Sequence, residues 1–378
     1  MDILTSIAVL GVYSLKQTAK TKYCATVRGG FTSASFKNYR LPTSIVSALV
    51  SAGNHSLAKS TWETYKTAER HLQRCEVDTG VKIRFPMDDR MILAYVGWLI
   101  SVRKVSAVSI KKYLSGLRTV HLKNGYLPKN LRPDIVNSII KGREQEEIKD
   151  KVPRLAMTIP VLKLLKKLIT MSEWSLERKR RMWVVCCLAF HGSFRIHELL
   201  SKDKHSFDPT TTLLGRDVKL IKTTLDGRSE EILVVHLKSP KEDHLGQGVR
   251  VELFSTDTFS CPVEAWKRWR SLVKGSPCPT KPVFTTEEGT CMTGRIFNEE
   301  IKTFLGRFIN YDHGKYLSHS FRSGMASMMA SAGYRDEDIM RQGRWNSRAF
   351  LTYCKTGRAI RLREQRELAR TLANISKC

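Results

Sequence analysis

The sequence predicts a mainly α-helical protein with a small antiparallel β-sheet, divided into an N-terminal helical domain and a C-terminal mixed α/β domain. Three observations lead there. The chain is 378 residues long, which suits two domains of about 100–200 residues each. From Pro42 to about Gly142 apolar residues recur at helical spacing. Past Pro160, helical segments enclose two β-like runs, Ile232–Lys238 and Val249–Phe254, whose connection Ser239–Gly248 has the Pro and Gly content of a long hairpin turn. Apolar residues make up 42% of the chain and aromatics 8%, enough for ordinary cores, which excludes wholesale disorder. No apolar run approaches the roughly 20 residues of a membrane-spanning helix.

Residues 1–41 carry weak periodicity and a Gly29–Gly30 step, and read as a poorly ordered extension. Ile3–Val12 is apolar enough for a signal peptide. Asp2 stands where basic residues would precede one, however, and no clean cleavage site follows, so the segment reads as a buried or disordered leader. Ser60-x-x-Glu63 has the form of a capping box opening a helix with Trp62, Tyr65, Ala68 and Leu72 on one face. A second helix runs through Ile92, Tyr95, Val96 and Leu99. A third, from Ser106, shows Ile110, Tyr113, Leu114, Leu117 and Val120, with Lys111, Lys112, Arg118 and Lys123 on the other side. Pro133 suits a first helical turn ahead of Ile135, Ile139 and Ile140. The charged stretch 143–160, with Pro153 and Pro160, reads as a linker between the helical domain 42–142 and the mixed domain 161–356. Helices are expected over Val161–Met171, Met182–Ser201, Pro262–Val273, Gly294–Phe308, His319–Ala332, Asp336–Gln342 and Ser347–Tyr353, and a tail helix over 357–378.

Charge points to the partner. The 64 Lys+Arg against 36 Asp+Glu leave a net charge of +28. So basic a chain calls for a polyanion, and the spread of cations along its whole length suits nucleic acid better than a membrane surface. None of the nine cysteines forms a Cys-x-x-Cys pair. Cys186 and Cys187 sit in the apolar run Met182–Phe190, which fits core packing in a reducing compartment. Cys278 and Cys291 lack a second pair at ligand spacing, so no zinc site is expected. Glu177–Arg181 (ERKRR) has the composition of a nuclear-import patch, or of a solvated helix face near DNA.

Five scattered pieces carry the chemistry. Gly192-Ser-Phe-Arg195-Ile-His-Glu198 puts Arg195 and Glu198 three apart, on one helical face. Leu237-Lys238-Ser-Pro-Lys241-Glu-Asp243 offers two lysines at a strand end. His319-Ser-Phe-Arg322 opens a helix of small residues, Gly324, Ala326, Ser327 and Ala330, that can pack closely. Gly343-Arg-Trp345 follows, then Tyr353.

In this order, Arg…Lys…His-x-x-Arg…Trp…Tyr resembles the tyrosine recombinases, the phage-integrase family. The wording HSFRSG…GRWNSRAFLTY, with the SPKED hairpin, is similar to the eukaryotic transposon branch of DIRS-like and Crypton-like elements. The resemblance covers most of the chain, since family members carry an N-terminal helical (SAM-like) core-binding domain before the catalytic domain. It implies a site-specific recombinase that cleaves and rejoins double-stranded DNA through a 3′-phosphotyrosine, integrating or excising a mobile element in the nucleus. It also implies a tail that docks on a neighbouring protomer in a synaptic tetramer, although packing against its own domain is an equal alternative.

The residues support this chemistry by themselves. A tyrosine oxygen, here that of Tyr353, can attack a phosphodiester and split one substitution into two reversible halves. Arg195 and Arg322 can clamp the charge that grows on the non-bridging oxygens. A lysine on the hairpin can protonate the departing 5′ oxygen. Lys241 is favoured over Lys238, because the turn motif is a firmer anchor than strand counting. His319, unperturbed, titrates near neutrality and suits either phosphate donation or deprotonation of Tyr353. Trp345 offers one N–H and a flat wall, and Glu198 orients Arg195. The phosphotyrosine conserves the bond energy, so no cofactor is expected, neither ATP nor a metal, in keeping with the lack of a P-loop in the sequence.

Each piece alone has a bland reading: an ordinary ion pair, a solvated turn, a core histidine, core aromatics at helix ends. Their joint order is what sets them apart. The step from Trp345 to Tyr353 is one residue shorter than in bacterial members and matches the eukaryotic branch, with Tyr334 and Tyr316 as fallback nucleophiles. Lys111, Lys112 and Arg118 are candidate DNA-backbone contacts, or simply a solvated face. Rival readings are a type IB topoisomerase and a DNA-binding protein of the same fold that no longer cuts.

Overall fold

The computed structural model describes residues 30–57, 59–127, 131–150, 154–238, 248–273, 278–306 and 315–352. The chain divides into two compact units, Met1–Lys151 and Val152–Cys378.

Among its described residues the first unit holds a 3₁₀ helix (Ser33–Tyr39) and five α-helices: α1 (Thr43–His55), α2 (Lys59–Thr79), α3 (Asp89–Ser101), α4 (Ala107–Lys123) and α5 (Asp134–Asp150). Asp88 and Ser106 cap α3 and α4 by accepting the Met91 and Ser109 N–H groups. The apolar faces predicted for these helices are buried, with Ile92, Tyr95, Leu99, Ile110, Leu114 and Leu117 at the centre. Two buried rings, those of Trp98 and His121, are hydrogen-bonded through their nitrogens. The Trp98 indole donates to Asp78 at 2.7 Å. His121 Nε2 accepts the Met87 N–H, so its proton sits on Nδ1 and is donated to the Leu117 carbonyl.

Several expectations need correcting here. Part of the N-terminal extension is built into the unit: Ser35 donates to the Lys123 carbonyl, Asn38 to the Gly125 carbonyl, and Phe31 meets Trp62 edge-on. Helix α2 starts at Lys59, so Ser60 lies inside its first turn rather than ahead of it. The buried side of α5 is Val136 and Ile140, while Ile135 and Ile139 face solvent. Helix α5 also runs through residue 150 and takes in half of the expected linker. Glu147 accepts the Ala107 N–H and Glu144 pairs with Lys111, both at 2.7 Å, which ties α5 to the start of α4. Lys111 is thereby engaged, whereas Lys112 and Arg118 are exposed on α4.

The second unit comprises α6 (Ile159–Met171), α7 (Leu176–His191), α8 (Ile196–Leu199), α9 (Pro262–Arg270), α10 (Gly294–Leu305), α11 (Ser318–Ser331), α12 (Asp336–Gly343) and a closing 3₁₀ helix (Arg348–Thr352). Its antiparallel sheet has the order β1 (Val218–Leu225), β2 (Arg228–Leu237), β3 (Val249–Phe254). Helix α7 is the central rod. Val184 through Phe190 are all buried, and α6, α9 and α11 pack around it. Burial pushes the Cys186 and Cys187 thiols well up, as befits inert core residues. Strand β1 was not foreseen. It pairs with β2 through the two-residue turn Asp226-Gly227, both at positive φ (49° and 74°), the twist a tight hairpin requires. Strands β2 and β3 end their pairing at Leu237↔Val249. Lys241 lies beyond that point, outside the described residues.

Residues 154–157 of the expected linker are laid along the start of α11. Leu155 donates to the Lys315 carbonyl and Met157 to the Ser320 carbonyl. A Cβ at Gly324 would collide with the Met157 carbonyl, so the small-residue face of α11 permits this close approach. Three of the four cations in the basic run Glu177–Arg181 are engaged within the unit. Arg181 is buried against Glu177, Arg178 pairs with Glu300 and stacks on Trp174, and Arg180 donates to the Arg268 carbonyl. Among the described residues no helix is long and apolar enough to cross a membrane, and no cluster of His, Cys, Asp and Glu could hold a metal ion.

Candidate active site

Three segments of the second unit converge: the turn between α7 and α8, the first turn of α11, and the end of α12. The turn exists because α7 stops at Gly192, where one longer helix through Ser201 was expected. Ser193 follows in the left-handed region at φ 46°. Arg195 therefore caps α8 from outside it, and Glu198 is the third residue of that helix. One Glu198 oxygen accepts the Arg195 backbone N–H at 2.9 Å, and the other takes the Arg195 guanidinium at 3.0 Å. The sequence pairing of Arg195 with Glu198 is thus present, on a sharper local geometry.

Arg322 comes in from α11 and is only 1% exposed. Its guanidinium donates to the carbonyls of Ser193 and Gly343 and lies over the Trp345 ring, 4.3 Å from its centroid. A Cβ at Gly343 would collide with that indole, so glycine is what lets Trp345 fold back onto Arg322. Phe350, fully buried beside Trp345, Ala326 and Ile339, anchors the closing 3₁₀ helix against α11 and α12. That helix ends at Thr352, one peptide before Tyr353, which itself lies outside the described residues. Of the fallback nucleophiles, Tyr316 is buried, and Tyr334 lies past the far end of α11. From Arg322 to that end is about 14 Å of helix.

Two residues without a motif role join this cluster. Arg344 donates to the Gly192 carbonyl at 2.9 Å, the Ser193 carbonyl at 3.2 Å and Glu198 at 3.0 Å. Arg154, exposed on the strand-like segment beside α11, adds its charge near His319. Burial pushes the Glu198 carboxyl up, but Arg344, the Arg195 N–H and the Arg195 guanidinium outweigh it and hold it below the usual carboxylate range. Two guanidiniums, those of Arg195 and Arg344, thus share one carboxylate, and Arg322, which meets Arg344 at the Ser193 carbonyl, adds a further positive charge to the site.

His319 does not sit near neutrality as its free value would suggest. Burial, then the charges of Arg322, Arg154 and Arg195, bring it down to about 4, and burial brings His191 to about 4 as well. Both rings are therefore neutral at pH 7. Unfolded imidazoles titrate near 6.5. Between these values the unfolded chain binds more protons, so the stability tied to these residues is complete above about pH 6.5 and is lost as the pH falls toward 4. Melting temperatures measured from pH 7 down to 4.5 should fall progressively, and less steeply in His319→Asn. A profile identical in the two proteins would show that His319 is not held neutral.

Lys238 is occupied elsewhere. Its ammonium contacts Asp217 at 2.6 Å and the carbonyls of Pro209 and Thr212 at 2.9 and 3.0 Å, matching its three hydrogens. Asp217 in turn accepts the Leu214 N–H. Lys238 thus locks the end of β2 to the approach to β1. Lys238→Met should cost about 3 kcal/mol by leaving a buried carboxylate without its cation, read as a lower denaturant midpoint.

No protein-family model and no curated protein matches this chain. Solved structures do. The fold is similar to the Tn1549 transposon integrase in complex with transposon right end DNA (TM-score 0.54, 14% identity, 83% of this chain and 95% of that one). It is similar also to the XerH site-specific recombinase bound to a palindromic difH substrate (0.51, 14%, 88% and 86%). A lambda integrase dimer bound to a core site gives 0.50 at 14% identity, over 86% and 96%. The architecture, a helical unit followed by a mixed unit with a three-stranded antiparallel sheet, is therefore similar to that of these recombinases and integrases. More narrowly, the chain has the tyrosine-recombinase fold.

Proposed function

We propose that this protein is a site-specific recombinase that cleaves and rejoins duplex DNA through a 3′-phosphotyrosine at Tyr353. The observation that carries the reading is the convergence of Arg195, Arg322, His319 and Trp345 on one basic site whose closing 3₁₀ helix ends one residue before Tyr353. Arg195 and Arg322 bind the scissile phosphate and stabilise its pentacoordinate transition state. Neutral His319 bonds a phosphate oxygen or takes the phenol proton, and Trp345 walls the site. Lys241 protonates the 5′ oxygen, a role for which the fully occupied Lys238 ammonium is poorly suited. DNA is held through phosphate contacts, with Lys112 and Arg118 among the cations of the helical unit. On the motif resemblance, the setting is a mobile element in a nucleus, with four protomers on paired sites.

The test uses a duplex selected from a randomised pool by repeated binding to the protein, then nicked so that religation fails. A denaturant-stable protein–DNA adduct at the 3′ end is expected. Tight binding to that duplex with no adduct would favour a DNA-binding protein that does not cut. With a bridging sulfur at the 5′ leaving position, Lys241→Ala should regain cleavage because a thiolate leaves without a proton. Rescue of Lys238→Ala instead would move the acid to Lys238.

A further inference from the structure

We infer that Arg344 is a positioning residue for Arg195, holding the turn after α7 and the Glu198 carboxylate so that the Arg195 guanidinium is presented to the phosphate. The inference rests on the recombinase reading above. Arg344 occupies the left-handed cap at the end of α12, φ 53° and ψ 52°, a position glycine fills without strain and other L-residues fill only under strain. Its side chain accounts for that choice. It is mostly buried, lies over the Phe194 ring at 5.0 Å, and reaches two carbonyls and a carboxylate on the opposing turn. One of those carbonyls belongs to Ser193, itself a left-handed non-glycine residue and also an acceptor of Arg322. One guanidinium therefore staples together two strained backbone positions that flank both phosphate-binding arginines.

Glu198 makes the link to Arg195. The oxygen that takes Arg344 is the same one that accepts the Arg195 N–H, while its other oxygen takes the Arg195 side chain. With Arg344 in place the carboxylate's charge is divided between two cations. Without it, Glu198 turns fully to Arg195 and competes with the phosphate for that guanidinium, and the turn loses two of its carbonyl contacts.

The discriminating variant is Arg344→Gly, because glycine relieves the backbone strain. A residue that merely shaped the cap would give a protein that melts no lower than wild type and forms adduct at the wild-type rate, which would overturn the inference. The expected result is retained DNA affinity with adduct formation slowed about 100-fold. Arg344→Lys, with charge but no planar fork, should fall between the two, and added methylguanidinium should restore part of the Arg344→Gly rate. If wild type itself binds the selected duplex without forming adduct, the recombinase reading fails separately. The hold on Glu198 is then decided by carboxyl NMR titration: a higher Glu198 pKa in Arg344→Gly supports it, and an unchanged one overturns it.

Discussion

Tyr353→Phe should form no covalent adduct at all while binding its duplex as tightly as wild type. The substitution removes a single oxygen and keeps the ring, a nearly isosteric change. What disappears is the atom that bonds to phosphorus, and neither clamp nor acid can substitute for it. Affinity rests on phosphate contacts spread over a chain of net charge +28, which the loss of one neutral hydroxyl leaves intact. The measurement is a denaturing gel of the nicked duplex after incubation, beside a binding titration at fixed salt. Adduct persisting in Tyr353→Phe would place the nucleophile elsewhere. The fallback tyrosines are then Tyr316, which is buried, and Tyr334, which lies past the far end of α11.

Arg322→Ala should lose both cleavage and stability. The guanidinium is buried and satisfies the carbonyls of Ser193 and Gly343 while stacking on Trp345. The Gly343 carbonyl, left without this donor, costs about 1–3 kcal/mol, while the Ser193 carbonyl keeps its Arg344 contact, and loss of the contact with Trp345 adds about 1–2 kcal/mol more. At about 2–4 °C per kcal/mol for a unit of this size, the melting temperature should drop by roughly 10 °C. Arg322→Lys keeps the charge but cannot span two carbonyls at once. It should recover part of the stability and little of the cleavage. Calorimetry and the adduct assay, both run below the variant's melting point, separate the two losses. An Arg322→Ala protein that melts like wild type would contradict the central position of this side chain.

How much of this was legible in the sequence varies with the physics of each element. Helices α3, α4, α6 and α7 bury one face or all round, so their apolar spacing announced them. Strand β1 did not announce itself, because only Val218 of its eight residues is buried and an exposed edge strand carries no apolar alternation. Its one clear signal was the Asp226-Gly227 turn. The end of α5 read as a linker because it is almost wholly charged, yet those charges are helical neighbours: Arg143 pairs with Glu146 and Glu147 along the helix. The motif arginines and His319 were visible by order alone. Arg344 was not, since its partners are two backbone carbonyls and a carboxylate about 150 residues away in sequence. The competing claims of Lys238 and Lys241 could not be weighed without seeing that Asp217, on the approach to β1, already holds Lys238.

The way Glu177–Arg181 is built into α7 bears on how the protein's cellular address should be sought. Attached as a short tag to a fluorescent reporter, this pentapeptide would display cations that the intact chain commits to Glu177, Glu300 and the Arg268 carbonyl. A tag that travelled to the nucleus would report on a peptide, not on the folded protein. Scrambling the same five residues in the full chain would first disrupt α7, and any change of compartment would then reflect misfolding.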